Sequence, residues 1–348
     1  MPDIDIRKVA RAGRITLTRP EALNALTYDM CLAIEAALDD WRDDDDVALI
    51  VIDAVGERAF CAGGDIAVMY ETAKAGDYEY GRKYWRDEYR MNAKLFEYPK
   101  PVVSLMQGFT MGGGVGVGCH GSHRIVGDTS QVAMPECGIG LVPDVGGMLI
   151  LSRAPGRLGE YLGTTAGRMG PGDAILVGFA DYYIPEASWP ALIAELEKTG
   201  DPSAVDRAAQ PAPQAPLAAL RPQIDAHFGG ETMGDIARSL RAEDSDFAAA
   251  TLKMLGRNSP LSMACTIEML HRLRGKDTIR AALRQEYRFT YRSAEEGDFI
   301  EGIRAAIIDK DKSPRWQHSD METVLGIDVS RMLMPLGAQG LKLEEELA

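Results

Sequence analysis

Two carboxylates, Glu136 and Asp144, lie within AMPECGIGLVPDVGG, a short way beyond a glycine cluster that runs from Gly112 to Gly121. Glycine lets backbone N–H groups come close to a ligand, because no Cβ stands in the way. A strand read from Pro101 to Met106 feeds the cluster, and a helix starting there would turn its first N–H groups toward developing negative charge. Backbone donors for an oxyanion, with a carboxylate beside them, are the parts of a site for acyl chemistry. A carboxylate emerging beside Met134, Ile139 and Leu141 is partly desolvated, which raises its proton affinity and its basicity. For any single residue of this kind the alternative is an ordinary surface glutamate, and the spacing to Asp144 does not decide between the two.

Three other patterns invite a chemical reading and do not support one. Gly116, Gly118 and Gly121 spell GxGxxG after a strand, but a dinucleotide site needs a full crossover helix next, and here the following strand, His123 to Val126, begins almost at once. His120 and His123 have the spacing of metal ligands without a third ligand nearby, so core or surface histidines are the better reading and no metal is expected. The acidic run Asp43 to Asp46 reads as a solvated loop.

The elements that must position these residues come from a chain able to bury a large core: 348 residues, 46% of them hydrophobic. One large domain and a smaller appendage are expected. The formal net charge of -14 argues against a nucleic-acid or anionic-membrane partner, although a local basic patch could still hold an anionic ligand. Five scattered cysteines without a CxxC pair suggest neither a disulfide framework nor a zinc knuckle and fit a reducing cytoplasm. The start MPDIDIRKVARAG lacks the apolar core of a signal peptide, and the longest apolar run, Val47 to Ile52, is too short to span a bilayer, so a soluble protein is expected.

Arg14 to Arg19 alternates as a strand, and Thr27 is a plausible cap for a helix that buries Cys31, Ile34, Leu38 and Trp41. Val47 to Ala54 is a continuous apolar strand, buried on both faces. In AFCAGGDI a second glycine turn precedes Asp65, read as the cap of a helix toward Lys74; Tyr78 to Phe96 is a long helix. The spacing predicts a short helix from Gly113 to about Gly121, a strand from Gln131 to Met134, a turn at Pro135-Glu136 and a helix from Val145 to Arg153. Beyond it, helices are expected to break at Gly156 and Gly163. The Ala- and Pro-rich tract from Gly200 to Pro222 reads as a linker to helices from Ile224 onward, among them amphipathic helices over Ser259 to Ile267 and Ile279 to Arg292 and a further one over Asp298 to Ile308. The closing LKLEEELA reads as a short solvated helix. No internal repeat is visible.

The motifs RPEALNALT, AFCAGGDI, TMGGGVG, AMPECGIGLVPDVGG, NSPLS, QEYR and DFIEGIRAAIIDKDKSPRW cover nearly the whole chain and together resemble the crotonase (enoyl-CoA hydratase/isomerase) superfamily. The resemblance is narrower still to its branch of acyl-CoA thioester hydrolases. It implies an α/β fold, a spiral of ββα turns over residues 1–199 with the CoA and catalytic site, followed by a linker and helical C-terminal region over 200–348. It also implies an acyl-CoA substrate whose thioester oxygen is held by two backbone N–H groups, which by motif position are Gly64 and Gly113. Ala62, Asp65 and Ile66 of the same motif would line the substrate. Lys310 would reach the CoA phosphates, the other reading being an exposed surface lysine.

Hydratases of this superfamily carry a glutamate where this chain has Gly116, while Glu136 matches their other carboxylate and Asp144 replaces their usual glycine, as in the hydrolases. Hydration calls for coordinated acid and base work by two groups. The expectation is therefore hydrolysis of 3-hydroxyisobutyryl-CoA or a close short-chain β-hydroxyacyl-CoA, as in valine breakdown. Glu136 would attack or activate water, and Asp144 would position the substrate hydroxyl or the leaving group. The alternatives are an enoyl-CoA hydratase or isomerase with displaced acid-base groups and a non-catalytic acyl-CoA-binding protein. No separate cofactor is expected, CoA being part of the substrate. A homo-oligomer would be in keeping with a superfamily that often trimerises.

Overall fold

Ile4–Val9 (β1) and Ala12–Leu17 (β2) open the chain as an antiparallel pair in which Ile4 lies opposite Leu17; β1 was not expected from the sequence. Helix α1 (Tyr28–Arg42) is capped by Thr27, whose hydroxyl oxygen accepts the Met30 N–H at 3.2 Å, and it buries the expected stripe of Cys31, Ile34, Leu38 and Trp41. β3 (Leu49–Ala54) pairs in parallel with β2, and Leu49 to Ile52 are buried on both faces of the sheet. The computed structural model describes residues 3–276 and 278–343, so most of the closing helix read in LKLEEELA lies outside the described residues.

From β3 onward the chain repeats one unit. β3 leads to β4 (Ala59–Cys61) and then to α2 (Ala67–Lys74) and α3 (Glu79–Phe96); β5 (Val102–Met106) leads to β6 (Phe109–Met111) and α4 (Gly113–Gly118); β7 (His123–Val126) leads to β8 (Gln131–Ala133). In the larger sheet β3, β5, β7 and then β9 (Tyr182–Tyr183) are parallel neighbours, and in the smaller sheet β4, β6 and β8 are. Each turn thus advances both sheets by one strand, which is the spiral of ββα turns expected from the motifs.

Helices α5 (Gly147–Arg153), α6 (Leu158–Thr165), α7 (Pro171–Val177), α8 (Trp189–Thr199), α9 (Ser203–Ala208) and α10 (Pro216–His227) follow. One compact unit, Met1–Asp65 with Asp87–Ala133 and Arg168–Ala218, contains both sheets. Its core sets Leu49, Val51, Val103 and Leu105, alternate residues of two strands, against Trp189, Leu192 and Leu196, which share one face of α8. Burial of side chains this size contributes roughly 1.5–3 kcal/mol each.

The second unit, Ile66–Arg86 with Met134–Gly167 and Ala219–Ala348, adds α11 (Met233–Arg241), α12 (Asp246–Leu255), α13 (Pro260–Leu273), α14 (Ile279–Glu296), α15 (Phe299–Ile303) and α16 (Gly326–Leu333). α13 packs against α5, α6, α14 and α16, and its buried residues run from Pro260 to Leu273. The helix expected over Asp298 to Ile308 is α15 continued by a π-helical turn at Arg304–Ile308.

Several local expectations are corrected. Asp65 does not cap α2: Ile66 holds that position without a side-chain cap, and the Asp65 N–H is given to the Leu26 carbonyl at 2.8 Å while its carboxylate accepts from Arg19 at 3.1 Å. The helix break falls at Gly156, in the left-handed region at φ 61°, whereas α6 runs through Gly163, where a Cβ would stand 3.1 Å from Thr266 on α13. The tract 200–222 is not all irregular, since it holds α9 and the start of α10, with Pro222 inside that helix. α5 starts at Gly147 instead of Val145, because Val145 and Gly146 both have left-handed backbone, at φ 50° and 81°. Among the described residues no helix is long and apolar enough to cross a membrane.

Candidate active site

The glycine motifs converge within the first unit. A parallel bridge joins Leu26 to Gly64, flanked by Leu26 N–H to Gly63 carbonyl at 2.9 Å and Asp65 N–H to Leu26 carbonyl at 2.8 Å, so the AFCAGGD loop is stitched to the chain that follows RPEA. Gly113 is the first residue of α4, a position whose N–H has no acceptor within its own helix. A Cβ placed on Gly113 would lie 3.3 Å from the Gly64 nitrogen and 3.1 Å from Glu88 Oε1. Gly64 and Gly113 are therefore neighbours, and a side chain at 113 would crowd both the nitrogen and the carboxylate. The next residue is tighter still, since a Cβ on Gly114 would meet the Cys61 carbonyl oxygen at 2.1 Å. Two backbone N–H groups brought this close are of the kind that can share one anionic oxygen.

The carboxylates converge within the second unit. Glu136 opens a 3-10 turn, Glu136–Ile139, and is 4% exposed. Its Oε2 is buried, and no donor reaches it among the described residues. Burial pushes its proton affinity well above the usual glutamate range, the charge of Asp144 adds to that, and Glu286 adds a further push. Asp144 is equally buried. Glu286, on α14, is completely buried, and its proton affinity too is raised well above the ordinary range, first by burial and then by Asp144, against the lowering effect of two backbone N–H groups. A carboxylate held this way has the basicity to take a proton from water and an oxygen open to attack an acyl carbon.

Of the residues singled out from sequence, Gly64 and Gly113 meet in the first unit, where Ala62 and Asp65 belong to the same loop, and Glu136 and Asp144 meet in the second. Ile66 and Lys310 are also in the second unit, and Lys310 is exposed, with left-handed backbone at φ 56°. Two carboxylates were missed. Glu88 is 3% exposed and sits on the buried stripe of α3 with Tyr84, Met91 and Leu95, three and four residues apart. Glu286 holds the same kind of place on α14, in line with Ile279, Leu283, Thr290 and Ser293. The available signal was a charged residue at a core position of a helix, which seldom occurs unless something recruits it. Among the described residues no cluster of His, Cys, Asp and Glu could hold a metal ion, and all five cysteines are buried.

A family model described as enoyl-CoA hydratase/isomerase matches residues 12–333. Curated relatives include the mitochondrial 3-hydroxyisobutyryl-CoA hydrolases of Rattus norvegicus, 37% identical with 95% of this chain and 88% of the relative covered, and of Homo sapiens, 35% identical with 98% and 90% covered. Among solved structures, an enoyl-CoA hydratase from Rhodobacter sphaeroides 2.4.1 is 57% identical at a TM-score of 0.93, covering 98% of this chain and 99% of that one. A carnitinyl-CoA dehydratase from Mycobacterium thermoresistibile is 39% identical at 0.94, covering 99% and 100%. A match over nearly the full length, on a chain that winds as ββα turns in two parallel-stranded sheets, means that this protein belongs to the enoyl-CoA hydratase/isomerase family, the crotonase superfamily.

Proposed function

We propose that the protein hydrolyses a short-chain β-hydroxyacyl-CoA thioester, 3-hydroxyisobutyryl-CoA above all, as in valine catabolism. Gly64 and Gly113 hold the thioester oxygen, Glu136 attacks the acyl carbon or takes a proton from the attacking water, and Asp144 engages the 3-hydroxyl or assists the departing thiolate. Ala62, Asp65 and Ile66 line the substrate, and Lys310 meets the CoA phosphates. Water and thioester become carboxylic acid and CoA thiol by either route: through a Glu136 anhydride that water then opens, or by direct attack of water. The observation that carries the reading is the burial of Glu136 beside Asp144, a pair whose like charges raise the basicity of Glu136. The names of the curated relatives support it. A cytoplasmic setting is proposed on the five scattered cysteines, all buried and without a CxxC pair.

Enoyl-CoA hydration is a second reading, favoured by Glu88, a further buried carboxylate next to Gly113, and by the hydratase name of the Rhodobacter sphaeroides protein at 57% identity. A panel of acyl-CoA esters separates the two, assayed for free thiol and, independently, for hydration of crotonyl-CoA. Thiol release from 3-hydroxyisobutyryl-CoA is expected, abolished by Glu136→Gln with CoA-ester binding retained. Efficient hydration without thiol release reverses the assignment.

A further inference from the structure

Asp144 is followed by two left-handed residues, Val145 at φ 50° and Gly146 at φ 81°, before α5 begins. Glycine adopts that backbone freely, but a β-branched valine is an outlier there and persists only where its surroundings over-determine it. The Asp144 carbonyl accepts the Gly147 N–H at 2.7 Å, which closes the bend locally. A further constraint comes from far along the chain. Glu286 Oε2 accepts the Gly146 N–H at 2.8 Å, and Oε1 accepts the Met148 N–H at 3.2 Å. α5 has no side-chain cap of its own, so the carboxylate from α14 takes that role at a helix start. Packing alone does not call for a charged group at this core position; an apolar residue of like volume would fill it without the desolvation cost.

We infer that Glu286 is a positioning residue for the reaction: by accepting the N–H groups of Gly146 and Met148 it pins the left-handed bend at Val145 and so aims the Asp144 carboxylate beside Glu136. The inference rests on the thioesterase reading only through the role given to Asp144. Glu286→Gln keeps the volume and turns an amide N–H₂ toward one of the two donors, so one bond is lost and one repulsion gained.

The test is a double-mutant cycle of E286Q with D144N, read by steady-state thiol release from 3-hydroxyisobutyryl-CoA, together with hydrogen exchange of the segment 144–148. A misplacement of this kind costs about 100-fold in kcat with KM little changed. In the D144N background the same substitution should change kcat by less than about twofold, because the group it positions is already gone. Exchange at 144–148 should accelerate in E286Q and stay unchanged in α13. An equal loss in both backgrounds, no loss in either, or unchanged exchange overturns the inference. Should E286Q not fold, E286D, whose carboxylate is one methylene short, goes through the same cycle. Should the wild-type enzyme release no thiol, the thioesterase reading falls by itself, and the exchange experiment still decides whether Glu286 pins the bend.

Discussion

Glu136 is asked to be both buried and charged. It must lose its proton to attack or to act as a base, while burial and the neighbouring Asp144 make that proton harder to remove. Turnover should therefore rise with pH along an acid limb that lies above the ordinary glutamate range. Replacing Asp144 by Asn removes the like charge and lowers the proton affinity of Glu136, so the limb in kcat/KM should move to lower pH as total activity falls. A limb that stays in place in D144N would remove Asp144 from the electrostatic environment of Glu136. At this scale the sequence was partly legible. Glu136 and Asp144 stand among glycines and prolines, where turns expose their chemistry to reading. Glu88 and Glu286 sit inside long helices rich in other charges, where a core position on the helix stripe is the signal that sets them apart, and on α3 even the adjacent Asp87 is buried.

Capping shows how single side chains hold whole elements. Thr27 caps α1 with one bond, whereas Ser259 caps α13 by accepting the Ser262 N–H at 3.1 Å and also donates to the buried Asp298 at 2.6 Å. Asp298 in turn accepts the Gln317 N–H at 2.9 Å, so the Ser259–Asp298 pair ties the start of α13 to the start of α15 and to the segment after it. Thr27→Ala should cost about 1 kcal/mol. Ser259→Ala should cost about 2 kcal/mol or more, because Asp298 loses a donor in a buried place. Urea unfolding of both variants checks the order, and equal losses would mean that the Asp298 bond adds nothing. Strong periodicity made α1, α3 and α14 readable to within a few residues, whereas α13 runs on to Leu273, well past the Ile267 expected. Asp65 misled because a good capping residue was already committed to Arg19 and Leu26, partners distant in sequence. Gly163 misled because glycine in a helix can serve close packing against a neighbour as well as interruption.

For the molecule as a whole, the buried carboxylates set a pH dependence of stability with an unusual sign. Glu136 and Glu286 bind protons more tightly folded than unfolded, so their contribution is fully present below the ordinary glutamate value and is lost as pH rises through the raised one. Surface groups such as Asp235 and Asp320, held below their ordinary value by a Thr232 hydroxyl and by Arg241, act in the opposite sense and lose stability as pH falls. A difference measurement isolates the buried term. E286Q cannot titrate, so its deficit in unfolding midpoint relative to the wild type should shrink as pH rises from the ordinary glutamate value upward. A constant deficit would mean that Glu286 has the same proton affinity folded and unfolded.

The spiral itself could not be read as a repeat, because its turns share a path and not a sequence: one holds two helices after its strands, the next a single short one. That path also governs how the protein must assemble. The parallel ladder pairs Ile50 with Val102 and Ile125 with Tyr182, residues far apart along the chain, so apart from the β1–β2 hairpin little of either sheet can form from local contacts. Loop closure has to precede the reward of pairing, which places refolding among the slow, topology-limited cases. Until β9 docks, β7 presents an open edge, and a refolding chain at high concentration meets other chains at that edge before its own last strand arrives.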